Sequence, residues 1–177
     1  MKITKITRKV AALGVVAMAS LTIAACSSGS KSERGGAAAG SGVALANRAL
    51  QEVSYSPRNQ GYGYKSTGVG GDFPTWSSTA KPQISNALEQ IGDDYVIQVT
   101  GHTCAIGPRT APGDGRRGNY YYSGQRAKAV YDGLVRAGVP ASKLQYKGVA
   151  DTQLLTGVDS KSQKQRRVTF QVVPAPN

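Results

Sequence analysis

The residues most capable of chemistry in this chain of 177 residues lie together, just after one predicted strand. His102 is the only histidine, and Cys104 is one of two cysteines. Residues two apart on an extended chain point to the same face, so a cysteine–histidine nucleophile pair is conceivable. The sequence offers no recognisable third group to orient such a pair, and we expect no enzymatic activity. One histidine and one free cysteine are half a zinc site at most, so we also expect no metal and no other cofactor.

Arginines offer binding chemistry. Arg126 lies on a predicted helix that Asn119 and Ser123 lead into. An arginine presents a planar fork of N–H groups that matches a carboxylate. The alternative is a solvated helix cation in an intrahelical pair. Arg166 and Arg167 are adjacent on a predicted strand and face opposite sides, so an ordinary surface charge is the alternative for either one.

The N-terminus has the pattern of a secretory signal. Residues 1–9 carry four cations and no acid, and an apolar run follows over residues 11–25. The run is too short for a comfortable membrane span. It ends in Leu21-Thr22-Ile23-Ala24-Ala25-Cys26, which resembles a lipobox, with a branched apolar residue three before the cysteine and two small residues between. We predict a lipoprotein signal peptide over residues 1–25 and lipidation of Cys26, with an ordinary thiol as the alternative.

A lipidated Cys26 would anchor the mature chain to a membrane leaflet without a transmembrane helix. Two or more acyl chains make such anchoring stable, and we expect a diacylglyceryl-modified, N-acylated cysteine carrying palmitate. Cys104 would then have no intramolecular disulfide partner. Losing the four signal-peptide cations lowers the formal net charge from +12 to +8. The remaining cations are scattered, so anionic lipid headgroups or cell-wall carboxylates are better partners than nucleic acid.

The rest of the chain divides into a tether and one folded domain. Residues 26–60 are rich in Ser, Gly and Ala and predict a flexible tether, with a short helix possible over residues 43–50. Residues 61–177 alternate helical and strand patterns, which predicts an α/β sandwich with two main helices on one face of a mixed sheet. The predicted elements are a strand between Tyr62 and Val69, a helix from near Thr79 with Pro82 in its first turn, a strand over 95–100, a helix from near Ser123 to Gly138, and strands over 144–147 and 167–173.

Six short motifs follow one another along the chain: Gly101-His102-Thr103 after a strand, Asn119 with Ser123, Gln125-Arg126-Ala127 with Val130 and Leu134, Gly138-Val139, Gly148, and Arg166-Arg167-Val168. Together they resemble the OmpA C-terminal domain, over roughly residues 72–173. Within that family, the segment from Gly101 to Pro108, the Tyr122-Ser123 step and Gly157-Val158-Asp159 are most similar to the OmpA-like outer-membrane lipoproteins of spirochaetes such as Leptospira. The resemblance implies a βαβαββ sandwich that binds peptidoglycan.

The resemblance also implies how the ligand would be held. The family binds the zwitterionic end of diaminopimelate in the stem peptide, with an aspartate for the ammonium and an arginine for the carboxylate. Carried over by position, Arg126 matches that arginine and Asn119 the asparagine that frames the pocket. Arg166 matches a further arginine that contacts the wall, while Thr103 and Gly101 would supply hydroxyl and backbone contacts.

One position departs from the family pattern, because Cys104 stands where the aspartate is expected. A thiolate at Cys104, or a carboxylate from Asp114 or Asp151, are the candidates to replace the missing charge. The resulting prediction is an outer-membrane lipoprotein whose periplasmic domain links the membrane to peptidoglycan. The alternative is a structural or surface-exposed host-interaction lipoprotein, with a role in virulence and envelope or host proteins as partners. It would keep the fold with weak or no wall binding.

Overall fold

The computed structural model describes residues 34–176, with side chains from Gly40 onward. The predicted signal peptide, Cys26 and the start of the predicted tether lie outside these residues. The described residues form three long helices and four strands. These are α1 (Arg34–Gln51), β1 (Ser54–Tyr55), α2 (Phe73–Gln90), β2 (Tyr95–Gly101), α3 (Asn119–Arg136), β3 (Leu144–Gly148) and β4 (Val168–Pro174).

The four strands form one mixed sheet in the order β1-β4-β2-β3. β2 is parallel to β3, and β4 runs antiparallel to both β1 and β2. The alternating side chains Ile97 and Val99 of β2, paired with Val172 and Phe170 of β4, face one side and are buried. From β1 onward the elements follow the order βαβαββ, so the predicted fold class is confirmed.

Helices cover the apolar face of this sheet. Ile84 of α2 and Ala127, Val130 and Leu134 of α3 recur at helical spacing and are buried in one cluster with the inward-facing strand residues. α1 adds Leu50 to the same cluster. The core therefore has a third helix beside the two that the sequence predicts.

α1 and β1 occupy the segment for which the sequence predicts a flexible tether. Ala46, Leu50, Val53 and Tyr55 are all at most 4% exposed and belong to the main core cluster. Gly42 explains the close approach, since a Cβ atom there would lie 2.2 Å from the carbonyl oxygen of Gln90 in α2. Gly42 and Ala46 are therefore packing residues, and the tether does not extend to residue 60 as predicted.

The first strand and the start of the second helix also differ from the sequence prediction. β1 lies at Ser54–Tyr55 instead of between Tyr62 and Val69, because Tyr55 packs in the core against Phe73 and Trp76. α2 begins at Phe73, with a proline directly after it, and Pro82 lies inside the helix. The sequence prediction placed Pro82 in the first turn, whereas the proline in the first turn of α2 is Pro74.

Gly101 is where α3 crosses the end of β2. A Cβ atom on Gly101 would lie 2.0 Å from the carbonyl oxygen of Ser123, whereas one on neighbouring Gly124 would meet nothing within 4 Å. We expect Gly101→Ala to lower the free energy of unfolding by at least about 2 kcal/mol through overpacking. Gly124→Ala, the control on α3 directly after Ser123, should leave stability unchanged or raise it by up to about 1 kcal/mol. Urea unfolding of both variants checks this, and equal stabilities would contradict the close packing.

Candidate functional site

A pocket of about 310 Å³ opens beside the end of β2 and the first turns of α3. Thr103 and Cys104 reach it directly after β2, because β2 ends at Gly101. Asn119, Tyr122 and Arg126 lie on successive turns of one face of α3. The remaining lining residues come from three loops and are Tyr64, Lys65, Ile106, Gly107, Pro108, Gly115, Arg116, Arg117 and Arg166.

Arg126 is almost fully buried, with 1% of its surface exposed. Its guanidinium donates hydrogen bonds to the carbonyl oxygens of Ser66, His102 and Gly63, at 2.8, 3.0 and 3.4 Å. The Tyr62 ring lies against it, with 4.9 Å from the guanidinium carbon to the ring centroid. Burial lowers the pKa of Arg126 to about 10, and repulsion from Arg166 contributes to that decrease.

Arg166 is the second buried arginine of the pocket and is 8% exposed. Its Nε donates to the carbonyl oxygen of Tyr62 at 2.6 Å, and its Nη1 lies 3.3 Å from Cys104 Sγ. Arg167 is directed elsewhere and donates to the carbonyl oxygens of Gln165 and Gln153. Both residues precede β4, which begins at Val168, and Arg166 is the one that lines the pocket.

Neither buried arginine has a carboxylate partner among the described residues. The ion pairs found there join Arg109 to Asp151, Arg116 to Asp114, Lys128 to Asp132 and Lys143 to Asp93. No aspartate or glutamate is among the residues that line the pocket, although five cations are. A buried charge is costly unless it is paired. The pocket is therefore electrostatically suited to an anion from outside the domain.

Thr103 supplies an independent sign of a ligand. Thr103 lines the pocket, and its hydroxyl is buried and has no hydrogen-bond partner among the described residues. Buried hydroxyls are normally paired, and this one can donate to a carboxylate oxygen. Asn119 uses its amide to hold the pocket wall, since Nδ2 lies 3.4 Å from the carbonyl oxygens of both Cys104 and Gly107.

The candidates to replace the missing aspartate are all engaged otherwise. Asp151 is paired with Arg109, and Asp114 with Arg116 in an exposed loop. Neither lines the pocket. Cys104 is buried and contacts Arg166. At position 104, where the family resemblance places the carboxylate that binds an ammonium group, this chain therefore has a sulfur atom in contact with the Arg166 guanidinium.

Two further sequence predictions concern the turn after β2. Gly101 is outside the set of pocket-lining residues in the described chain, because it lies against α3 and its carbonyl oxygen accepts a hydrogen bond from Val149. Its contribution is to bring α3 close to β2. His102 Nε2 lies 2.8 Å from Thr169 Oγ1 instead of pairing with Cys104, as expected for a histidine that orients the turn.

His102 makes stability depend on pH. Burial, assisted by repulsion from Arg167, lowers its pKa to about 3, so the folded domain holds it neutral while the unfolded chain binds a proton near pH 6.5. We expect its contribution to reduce the free energy of unfolding by about 1.4 kcal/mol per pH unit as pH falls from 6.5 towards 3. Urea unfolding at several pH values measures this slope. The reference is His102→Gln, which lacks the imidazole but keeps the carboxylates, so the difference between the two proteins isolates the contribution of His102. Parallel curves for the two proteins would contradict it.

The segment from Gly61 to Ser66, here called the 61–66 segment, is the part of the site that the sequence did not reveal. Its carbonyl oxygens accept hydrogen bonds from both buried arginines, and Tyr62 N donates in turn to the carbonyl oxygen of Arg166. Gly61 has φ +92°, and a Cβ atom there would lie 2.2 Å from the Gln163 carbonyl oxygen. The sequence predicts a strand between Tyr62 and Val69, which overlaps this segment. Its glycines were the available signal that it is not a strand.

The fold and the pocket together define a small α/β domain with a cationic cleft at the end of its second strand. The sequence model of the OmpA family matches residues 75–167, just over half of the chain. The chain therefore belongs to the OmpA family.

Solved structures with this fold come from several envelope proteins. A MotB-like protein from Desulfovibrio vulgaris matches with a TM-score of 0.52 and 15% identity, over 78% of this chain and 95% of its own. The peptidoglycan-associated lipoprotein from Burkholderia pseudomallei matches with a TM-score of 0.51 and 17% identity, over 71% and 93%. The C-terminal domain of Helicobacter pylori MotB matches with a TM-score of 0.51 and 20% identity, over 70% and 89%. At these identities the likeness establishes the fold.

The search of curated proteins found no match to this chain. Within residues 34–176, none of the helices combines the length and the apolar character that crossing a membrane requires.

Proposed function

We propose that this protein is an outer-membrane lipoprotein, anchored through Cys26, whose OmpA-family domain binds the stem peptide of peptidoglycan. The domain lies in the periplasm and links the outer membrane non-covalently to the cell wall. The observation that carries the proposal is the pair of buried arginines without carboxylate partners, Arg126 and Arg166, at one pocket of the described chain. Membership of the OmpA family, to which peptidoglycan-binding proteins belong, supports the same ligand.

Five of the pocket residues have a chemical role in this proposal. Arg126 donates three hydrogen bonds to carbonyl oxygens and Arg166 two within the domain. A guanidinium has five N–H groups, so both arginines retain donors for a stem-peptide carboxylate. Thr103 adds its hydroxyl. Asn119 holds the wall of the pocket in place, and Cys104 lies beside the bound group at the position of the family's aspartate.

Modest affinity at one pocket is compatible with a stable link to the wall. The lipid on Cys26 would confine the domain near a wall that presents many stem peptides, which raises their effective concentration. Rebinding would then follow each release. The anchor and the pocket therefore act together in the proposed function.

A second candidate function follows from the absence of a carboxylate in the lining of the described pocket. The domain would keep the OmpA fold as a structural or host-interaction lipoprotein with weak or no wall binding. Hydrogen bonds to charged groups are worth about 1.5–3 kcal/mol, so losing the ammonium contact costs roughly tenfold to hundredfold in affinity. Envelope or host proteins would then be its partners.

Sedimentation with purified diaminopimelate-type sacculi separates the two candidates. Every described helix and strand lies within residues 34–174, so the chain from Ser27 onward retains the whole core without the lipid. We expect it to pellet with sacculi and to be released by soluble stem peptide. The binding should persist at about 0.5 M salt, which screens adhesion of a chain with net charge +8 to an acidic wall. Retention in the supernatant would favour the second candidate.

A further inference from the structure

The pocket is suited to a ligand different from a free zwitterion. Its lining includes the cations Lys65, Arg116, Arg117, Arg126 and Arg166, and no acid. Arg116 is balanced by Asp114 outside the lining, while the two buried arginines are unbalanced among the described residues. An ammonium group entering this pocket would approach cations and meet no carboxylate.

Hydrogen-bond donors are concentrated at Cys104, next to the expected ammonium position. Arg166 Nη1 lies 3.3 Å from Cys104 Sγ, and Asn119 Nδ2 lies 3.4 Å from the Cys104 carbonyl oxygen. Both groups direct donors at residue 104. A further positive charge there would be repelled by the Arg166 guanidinium.

The two buried guanidinium groups of the pocket can only donate hydrogen bonds, whereas the Thr103 hydroxyl can donate or accept. Arg126 and Arg166 retain N–H groups after their hydrogen bonds within the domain, and the Thr103 hydroxyl is unpaired among the described residues. An ammonium group can only donate. An acylated amine instead brings a carbonyl oxygen that accepts, and it carries no charge.

We propose that the pocket selects stem peptides whose diaminopimelate side-chain amine is acylated, as it is in a peptide cross-link, over stems with the free ammonium. The proposal rests on the proposed function and specifies the ligand of the same site. The carboxylate next to the amine binds Arg126 and Arg166 in both cases. The acyl carbonyl adds an acceptor on the side of Cys104, where the free amine would meet repulsion.

Isothermal titration of the chain from Ser27 onward with two synthetic tripeptides tests the proposal. Both end in diaminopimelate, and they differ only by an acetyl group on its side-chain amine. We expect the acetylated peptide to bind about tenfold more tightly, the effect of a single hydrogen bond to a charged group. Cys104→Asp should reverse the preference because its carboxylate would pair with the ammonium. Cys104→Ser, a neutral replacement of similar size, should keep it.

The outcomes separate this inference from the proposed function. Tighter binding of the free-amine peptide to the wild-type chain, or equal binding of both, would overturn the acyl preference and leave stem-peptide binding standing. If neither peptide binds and sacculi fail to sediment the chain, both proposals are wrong. A free-amine preference that disappears in Cys104→Ser would show that the sulfur acts as the counter-charge, and would also overturn the inference. The wild-type comparison decides the matter even if Cys104→Asp does not fold.

Discussion

Arg126→Ala should abolish sedimentation of the chain with sacculi, with a loss of at least about a hundredfold in affinity for soluble stem peptide. The substitution removes the most deeply buried cation of the pocket and the planar fork that matches a carboxylate. It also leaves three carbonyl oxygens, those of Gly63, Ser66 and His102, without their donor. We therefore expect the free energy of unfolding to fall by about 2–4 kcal/mol as well.

Two further variants separate lost binding from lost folding. Arg126→Lys keeps the positive charge and loses the fork, so it should weaken binding by about tenfold or more. Lys128→Ala removes an exposed cation of the same helix that pairs with Asp132, and should bind as the wild-type chain does. Binding is measured by titration on protein that circular dichroism shows to be folded. A folded Arg126→Ala variant that still sediments fully would contradict the assigned role.

The second large effect concerns the N-terminal helix and strand. A chain that starts at Gly61 lacks Ala46, Leu50, Val53 and Tyr55, all of which are buried in the core. Burying one large apolar side chain contributes roughly 1.5–3 kcal/mol, so this truncation should cost about 5 kcal/mol or more. The loss is comparable to the total stability of an ordinary domain. The truncated chain should be unfolded or close to it.

Thermal unfolding followed by near-ultraviolet circular dichroism measures this loss. The control is the chain from Ser27 onward, which lacks only residues 1–26. It should melt cooperatively, while the chain from Gly61 should show no cooperative transition. Equal melting temperatures for the two would mean that α1 and β1 are not part of the stable core.

Much of the central fold could be predicted because its signals are local and periodic. Val130 and Leu134 of α3 recur at helical spacing. β2 and β4 are rich in β-branched and aromatic residues, and in β4 buried side chains alternate with more exposed ones. The sequence of α1 predicts a tether because alanine and glycine have too little apolar surface to mark a buried face. Their value is in close packing, as at Gly42, and that depends on a partner helix far along the chain.

The pocket was predictable only where a side chain supplies the chemistry. Arg126, Asn119 and Thr103 could be predicted from residue type and from the OmpA resemblance, and the structure brings them together at one pocket. The 61–66 segment acts mainly through carbonyl oxygens, which every residue carries, so no residue type indicates that role. The contact between Arg166 and Cys104 joins residues 62 positions apart and follows from the tertiary fold.

The family pattern has an aspartate where this chain has Cys104, and no other carboxylate of the described residues lines the pocket in its place. Asp114 is paired with Arg116 and Asp151 with Arg109, and neither aspartate lines the pocket. Arg126 and Arg166 remain buried without a carboxylate partner among the described residues. An anionic ligand would satisfy both, and this is the physical basis of the proposed wall binding.

The most direct test is a titration of the chain from Ser27 onward with soluble stem peptide, followed through the Nε–H resonances of its arginines by NMR. The pocket account predicts saturable shifts for Arg126 and Arg166, with exposed Arg48 and Arg136 unchanged. Shifts confined to the exposed arginines, with Arg126 and Arg166 unmoved at saturating peptide, would contradict it.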